Sequence, residues 1–234
     1  MTTSSVNSEL YDLLKSYSGD FASIAPIDLK KERLCLLDLS VSNPEFEFLN
    51  MEQLEVQESF VWGKIRQVGA VAGIGGYGEK RDWYKRSENY VDQNEFRSIH
   101  LGIDLWMPEG TSIFAPLPGV IHSLNNNAGL GDYGPTIILQ HQIEDLNFYS
   151  LYGHLSVQSL EGKRKGDQIS KGQKFAEMGS PLVNGEWPAH VHFQLMTTML
   201  GKEGDFPGVA AESDKDYWLG ICPDPNLILG CPLL

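Results

Sequence analysis

The stretch from Ala189 to Leu195, AHVHFQL, constrains the fold more than any other part of the chain. Side chains alternate between the two faces of an extended strand, so His190 and His192 point the same way, with their Cβ atoms roughly 6–7 Å apart. The apolar residues Val191, Phe193 and Leu195 point the opposite way. The pattern predicts a strand with one face in the core and two imidazoles on the other face, where they can share a site.

Two further segments repeat this division of faces. In HLGID, His100 and Asp104 share one face and two aliphatic residues lie on the other; in LYGHLS, His154 shares a face with Tyr152 and Ser156. Three half-polar strands can therefore bring four histidines and one carboxylate together. A catalytic zinc site uses about three His or carboxylate ligands and keeps an open position for water. The surplus histidines suit acid–base catalysis, because histidine titrates closest to neutral pH.

These residues resemble the lysostaphin-type (LytM-type) zinc metallopeptidase family. The family pattern is a His-x-x-x-Asp pair, a later Tyr-x-His-Leu-Ser segment and a final His-x-His-Phe strand. In this sequence the three motifs begin at His100, Tyr152 and His190. The resemblance covers about residues 96–197, and it rests on all three motifs occurring in the family's order.

The resemblance implies one zinc ion per chain and a division of roles among five residues. The zinc ligands fall on His100, Asp104 and His192. The family's remaining histidines, which act on the water and the transition state, fall on His154 and His190. The implied activity is that of a zinc metalloendopeptidase, a hydrolase that cleaves amide bonds in peptidoglycan-type or glycine-containing peptides through a zinc-activated water.

Two alternative functions stay open. The first is a cytosolic amide hydrolase module that acts on a small peptide-like metabolite. Trp187 and Pro188 favour it, because they stand where family members commonly carry a Gly/Ser/Thr-rich turn and would narrow one wall of the cleft. The second is a non-catalytic, zinc-stabilised domain that binds peptides or regulates another hydrolase. A serine hydrolase is disfavoured because the sequence has no G-x-S-x-G. His122 and His141 lie outside the motifs, and we expect them to be structural or exposed.

Charge and composition limit the partners. The formal net charge of −13 would repel nucleic acid and anionic membranes, so we expect a peptide or peptidoglycan-like substrate and neither of those partners. The three cysteines form no metal-type doublet, which predicts reduced, buried thiols. No signal peptide and no apolar run of roughly 20 residues is visible. The sequence therefore predicts a cytoplasmic protein, although relatives are usually exported, and it carries no signature of an oligomeric state.

The sequence predicts a mainly β protein with three parts. These are an N-terminal segment at 1–95, a zinc metallopeptidase domain at 96–200 and a C-terminal tail at 201–234 that packs on the core. Short runs with turn residues every 8–12 positions predict an antiparallel β-sandwich or barrel for the middle part. Its predicted strands are 98–106, 112–115, 118–124, 135–141, 147–154, 173–179 and 189–197. The N-terminal segment is expected to hold a helix at 8–19, a strand at 33–41 and a short helix at 51–58, and the tail is expected to be irregular.

A glycine-rich stretch from Gly73 to Gly78 matches the dinucleotide fingerprint G-x-G-x-x-G. No convincing βαβ unit follows it, so a nucleotide site is disfavoured. We expect instead a flexible loop over 73–86 that overhangs the cleft.

Overall fold

A computed structural model describes residues 3–92 and 95–234, and the side chains of residues 3–7, 85, 86, 88 and 92 lie outside this description. The predicted mainly β architecture is confirmed. The strands of the described residues, numbered in chain order, are β1 Leu34–Leu36, β2 Ala72–Gly75, β3 Val91–Asp92, β4 Glu95–His100, β5 Ile103–Trp106, β6 Ser112–Phe114, β7 Gly119–Asn127, β8 Gly134–Ile143, β9 Leu146–Gly153, β10 Gln168–Ile169, β11 Lys174–Glu177, β12 His190–Met196 and β13 Val209–Ala211.

Eight of these strands form one sheet, in the order β1-β2-β5-β12-β9-β8-β7-β10. A two-stranded sheet, β11-β6, and a three-stranded sheet, β13-β4-β3, accompany it. The predicted antiparallel pairing is confirmed for the middle part of the chain, where β5, β12, β9, β8 and β7 pair antiparallel in turn. The large sheet is open rather than a closed barrel, with β1 and β10 as its end strands in the described part of the chain. Its parallel pair, β1 with β2, lies in the N-terminal segment.

The core lies against the apolar face of β12, as its alternation predicts. Val191, Phe193 and Leu195 are fully buried, and burial of each such side chain contributes about 1.5–3 kcal/mol. The opposite face of β12 is also buried, because other parts of the chain close over the polar side chains it carries. The strand is therefore buried on both faces, although only one of them is apolar.

The predicted continuous strand over 98–106 is interrupted. β4 pairs with β13 in the small sheet, whereas β5 pairs with β2 and β12 in the large one. The chain passes between the sheets at Leu101 and Gly102. A glycine is required there, because a Cβ on Gly102 would lie 2.6 Å from the Cε1 of His192. The ends of the other six predicted strands agree with the structure to within three residues.

The glycine-rich segment is not a loop, so that prediction is wrong in its first part. Residues 72–75 form the buried strand β2, which pairs with β5 and with β1. Its glycines allow close packing: a Cβ on Gly73 would lie 2.8 Å from Leu37 Cδ1, and one on Gly75 would lie 2.6 Å from the Leu37 carbonyl oxygen. The side chains of Lys85 and Arg86, which we expected over the cleft, lie outside the described residues.

Helices pack on the sheet at both ends of the chain. The first, α1 Thr3–Ser16, begins before the predicted start at Ser8, but its Leu10 and Leu14 are buried in the core as its apolar stripe predicts. The second, α2 Leu54–Gln67, is longer than the short helix predicted at 51–58. It buries apolar side chains at Phe60, Val61 and Ile65, which gives it one face against the sheet.

The tail is more regular than predicted. It contains β13 and two short helices, α3 Lys215–Ile221 and α4 Asn226–Leu229. Ile228 and Leu229 are buried in the main core. The three cysteines are free and buried, as predicted. Among the described helices, none has the length and apolar character needed to cross a membrane.

The division into three parts at 95/96 and 200/201 stays a prediction. The hydrogen-bonded sheet crosses the first of these boundaries, because β1 and β2 belong to the N-terminal segment and β5 belongs to the middle part.

Candidate metal centre and active site

Strand register brings the ligand candidates together. β5 and β12 are antiparallel neighbours, with His192 directly opposite Asp104 and His190 directly opposite Trp106. Side chains that oppose each other in this way have Cβ atoms about 4.5–5.5 Å apart. His100 arrives from the end of β4 in the small sheet. The break between β4 and β5 therefore lets a third element reach the same point.

Three ligand atoms of these residues converge. His100 Nε2 lies 2.8 Å from His192 Nδ1 and 3.3 Å from Asp104 Oδ1, and His192 Nδ1 lies 3.2 Å from the same Oδ1. Within the described chain, these residues are the one group of His, Cys, Asp or Glu whose ligand atoms all lie within 4.8 Å of each other. Ligands about 2.0–2.1 Å from a tetrahedral zinc ion are about 3.3 Å apart. The set therefore fits a zinc ion in donor type and spacing.

The other polar atom of each ligand is already engaged. His100 Nδ1 donates to the carbonyl of Gly76 at 2.9 Å, and Arg81 Nη1 donates to Asp104 Oδ2 at 2.6 Å. His192 Nε2 donates to Gln194 Oε1 at 2.9 Å. The Gln194 amide nitrogen donates to a backbone carbonyl, at 3.0 Å, which turns its oxygen towards His192. These contacts leave one atom of each ligand facing the common point, as outer partners do at metal sites.

Burial and charge keep His100 and Asp104 in the protonation state that a metal requires. Burial, followed by the nearby Arg81 cation, lowers the pKa of His100 to about 4. Burial alone would raise the pKa of Asp104, but His100 and Arg81 hold it well below its ordinary value. His100 is therefore neutral and Asp104 is ionised at neutral pH, which is how imidazole and carboxylate bind metals.

His154 and His190 form a second pair beside this cluster. Their ring centroids are 4.2 Å apart. His154 Nδ1 donates to the carbonyl of Asn184 at 2.8 Å, and His190 Nδ1 donates to the carbonyl of Pro188 at 2.7 Å. Each ring therefore keeps an unprotonated Nε2 while it is neutral, and His190 Nε2 lies 3.8 Å from Asp104 Oδ1. Burial lowers the pKa of both histidines, and the neighbouring His190 lowers that of His154 further.

His154 does not lie on a strand, contrary to the prediction of a strand over 147–154. β9 ends at Gly153, and His154 has a left-handed backbone with φ of 62°, which is uncommon for a residue with a side chain. Its N–H donates to the Tyr133 carbonyl and its carbonyl accepts from the Gly179 N–H, both at 2.8 Å. The fold thus holds this histidine in a sparsely populated conformation next to the ligands.

The five predicted residues all line a cleft of about 330 Å³. Trp187 and Pro188 also line it, which confirms the predicted wall. Trp187 packs against Trp83 with ring centroids 5.8 Å apart, and against Tyr84 at 5.9 Å. The part of the 73–86 segment beyond β2 therefore contributes to the cleft, and it does so through buried aromatic side chains rather than a flexible loop.

Three site residues were not predicted as such: Arg81, Gln194 and Tyr133. Tyr133 is half-buried, and its hydroxyl lies 3.4 Å from His192 Nε2. It fits because Gly153 and Gly208 leave room for its ring. Gln194 could have been found from the sequence, because it follows His192 on the same face of β12. Arg81 belongs to no motif, and nothing in the sequence places it next to Asp104.

The fold and site define a mainly β domain in which a buried His-Asp-His cluster, a donor set suited to a metal ion, lines a cleft. Residues 98–204 match the family model described as Peptidase family M23. The predicted resemblance to lysostaphin-type peptidases is confirmed for this region. The matched region contains all five predicted site residues and excludes Arg81.

Several solved structures are similar to the chain, with TM-scores below 0.5. The catalytic domain of the antimicrobial peptidase lysostaphin from Staphylococcus simulans is 23% identical, over 62% of this chain and 90% of its own, with a TM-score of 0.38. A zinc-containing peptidase from Vibrio cholerae is 22% identical, over 42% of this chain and 27% of its own, with a TM-score of 0.34. Csd3 from Helicobacter pylori is 24% identical, over 53% of this chain and 32% of its own, with a TM-score of 0.34. The chain thus spans about a third or less of the last two structures. No curated protein matches it.

Proposed function

We propose that the protein is a zinc-dependent metalloendopeptidase that hydrolyses amide bonds in peptides, of the peptidoglycan type or containing glycine. The observation that carries the proposal is the convergence of His100, Asp104 and His192 on one point of a cleft, with two further histidines beside them. These three residues would hold one zinc ion. When bound, zinc supplies Lewis-acid activation of a water molecule and of the scissile carbonyl.

His154 and His190 supply the proton transfers. Each neutral ring accepts a proton at Nε2, because its Nδ1 already donates to a backbone carbonyl. Their lowered pKa values keep both rings neutral before reaction. Once protonated, such a ring is a strong acid, which favours transfer of the proton to the leaving amine. The other ring would stabilise the oxygen that gains negative charge when its own Nε2 carries a proton and donates to that oxygen.

The test uses product mass spectrometry. Zinc-loaded wild type is incubated with cross-linked muropeptides, glycine-rich peptides and a cytosolic peptide extract, beside His154→Ala and His190→Ala. We expect cleavage by the wild type, and a loss of about 10²–10⁴-fold in each variant with zinc content unchanged. His122→Ala is the control, because this histidine lies outside the cluster on β7. Full activity of His190→Ala would contradict the mechanism.

A second candidate is hydrolysis of a small peptide-like metabolite in the cytoplasm. It is supported by the limited cleft volume, about 330 Å³, and by the aromatic wall of Trp83, Tyr84 and Trp187. The cytoplasmic location remains a prediction from the sequence. Cleavage confined to the cytosolic extract in the same experiment, with cell fractionation that places the protein in the cytosol, would favour this candidate. Zinc binding without cleavage in any pool would favour a non-catalytic peptide-binding domain.

A further inference from the structure

A buried arginine from outside the matched family region contacts the candidate metal ligand Asp104. Arg81 is 1% exposed. Its Nη1 donates to Asp104 Oδ2 at 2.6 Å and to the Tyr84 hydroxyl at 3.2 Å, and its Nε donates to Glu79 Oε2 at 2.6 Å. The other oxygen of Glu79 accepts from the backbone N–H of Leu39 at 2.9 Å. A chain of bonds therefore runs from the N-terminal segment to the metal site.

Backbone pairing fixes the arginine in this position. The Arg81 N–H donates to the Ser98 carbonyl at 2.8 Å, and the His100 N–H donates to the Glu79 carbonyl at 2.9 Å. Residues 79–81 therefore run beside β4, the strand that carries His100. The same ladder of backbone hydrogen bonds therefore holds both His100 and Arg81, the residue that contacts Asp104.

The arginine leaves Asp104 one oxygen for a metal. Oδ2 is occupied by the guanidinium, while Oδ1 lies within 3.3 Å of both ligand nitrogens. Removal of Arg81 would free the second oxygen and would leave two carboxylates, those of Glu79 and Asp104, near one another without a cation between them. Uncompensated buried charge is strongly destabilising in a metal-free protein.

The same cation opposes a metal ion electrostatically. A fixed positive charge one carboxylate away from a dication repels it, and this repulsion is poorly screened in a buried site. Glu79 has the opposite effect, because it offsets part of the arginine charge. If Arg81 only supported the structure, its removal would instead weaken zinc binding, since a disturbed ligand binds metal more weakly.

We propose that Arg81 is a positioning residue that orients Asp104 for binding through one oxygen and holds zinc affinity below the value that the three ligands alone would give. The inference rests on the proposed zinc function, but it concerns metal affinity and not turnover. Glu79 tunes the effect in the opposite direction.

The test measures zinc dissociation constants by chelator competition and thermal unfolding with and without zinc. Arg81→Met removes the charge and keeps much of the side-chain length; we expect zinc to bind about tenfold or more tightly. We also expect a lower Tm for the metal-free variant and a larger rise of Tm on adding zinc than in wild type. Glu79→Gln is expected to bind zinc about tenfold more weakly. The matched control is Lys80→Met, because Lys80 is an exposed cation of the same segment, paired with Glu212.

Unchanged or weaker zinc binding by folded Arg81→Met would overturn the proposal, and so would tighter binding by Glu79→Gln. If Arg81→Met does not fold, the zinc affinities of Glu79→Gln and Arg81→Lys decide the question. Arg81→Lys keeps the charge and is expected to stay close to the wild-type zinc affinity. Zinc binding in the expected order without cleavage of any substrate would overturn the proposed peptidase activity and leave this inference standing.

Discussion

Two buried histidines, His100 in the cleft and His141 in the large sheet, are alike in exposure and in pKa but differ in their neighbours. Each is 1% exposed, and burial lowers the pKa of each to about 4. His141 Nδ1 donates to the Pro118 carbonyl at 2.9 Å, and its Nε2 is bonded to the Ser150 hydroxyl at 2.6 Å. Both of its nitrogens are used inside the core. His100 has one structural bond, and its other nitrogen faces a carboxylate and a second histidine.

The comparison shows that burial and a lowered pKa do not by themselves define a site. His141 combines them with a serine hydroxyl and lies on a strand of the same sheet, yet it faces neither a carboxylate nor the cleft. A candidate metal or catalytic role needs an unengaged nitrogen, a partner of the right chemistry and access to substrate. The predicted structural role of His141 is therefore confirmed by its contacts.

The comparison sets the cleft cluster around His100 against the core contacts of His141. The largest effect is expected from Asp104→Asn, in the cleft cluster. The amide keeps an oxygen for Arg81 but removes the negative charge that a zinc ion needs, so we expect loss of bound zinc and a fall in turnover of about 10³-fold or more. Metal analysis after dialysis and peptide-cleavage assays measure both. Asp145→Asn, in the exposed turn between β8 and β9, is the control. Retention of zinc by the variant would remove Asp104 from the ligand set.

The second prediction concerns pH and His141. Its pKa falls from 6.5 in the unfolded chain to about 4 in the fold, so the unfolded state takes up the proton first as pH falls. The stability contribution is complete above pH 6.5, is lost progressively as pH falls from 6.5 towards 4, and amounts to about 3 kcal/mol. Urea unfolding of metal-free wild type and His141→Gln across this range measures it. The variant should lose less stability; identical slopes would show that His141 does not titrate with folding.

The smallest effects on stability and zinc binding are expected from substitution of two glycines, one next to His192 in the cleft cluster and one next to His141. A Cβ on Gly102 would lie 2.6 Å from His192 Cε1, and a Cβ on Gly119 would lie 2.7 Å from His141 Nδ1. Such overpacking typically costs about 1–3 kcal/mol. We expect both Gly102→Ala and Gly119→Ala to lower the free energy of unfolding by this amount, and only Gly102→Ala to weaken zinc binding.

Gly63 provides the control for the glycine pair. It lies in α2 with open space around its Cβ position, and alanine is favoured over glycine inside a helix by roughly 0.5–1 kcal/mol. Gly63→Ala should therefore stabilise the protein slightly and leave the zinc dissociation constant unchanged. Weaker zinc binding in Gly119→Ala would contradict the separation of the two histidine groups.

The convergence of the candidate ligands was predictable because strand alternation is local. The parity of His190 and His192 holds on β12, and the register with β5 places Asp104 opposite His192. His100 reaches the same point although it belongs to a different sheet. The interruption at Gly102 was not predictable, since it depends on the approach of His192 from a strand about 90 residues further along the sequence.

The contribution of the N-terminal segment to the large sheet and to the site was predicted poorly, for a physical reason. Glycine weakens a strand pattern, so β2 reads as a loop, whereas its glycines are required by packing against Leu37. Arg81 shows no periodicity and belongs to no motif; its role follows from backbone pairing with Ser98 and from the position of Asp104. Such long-range contacts are set by tertiary structure and leave no trace in neighbouring residues.

The pairing of β2 with β5 bears on how this domain can be isolated. A fragment restricted to the matched residues 98–204 would lack β2, and β5, which carries Asp104, would become an edge strand with unpaired N–H and C=O groups. Exposed edges of this kind promote association with other chains. The fragment would also lack the Gly76 carbonyl that orients His100. For soluble expression, the functional unit of this protein therefore begins well before the segment that matches the family model.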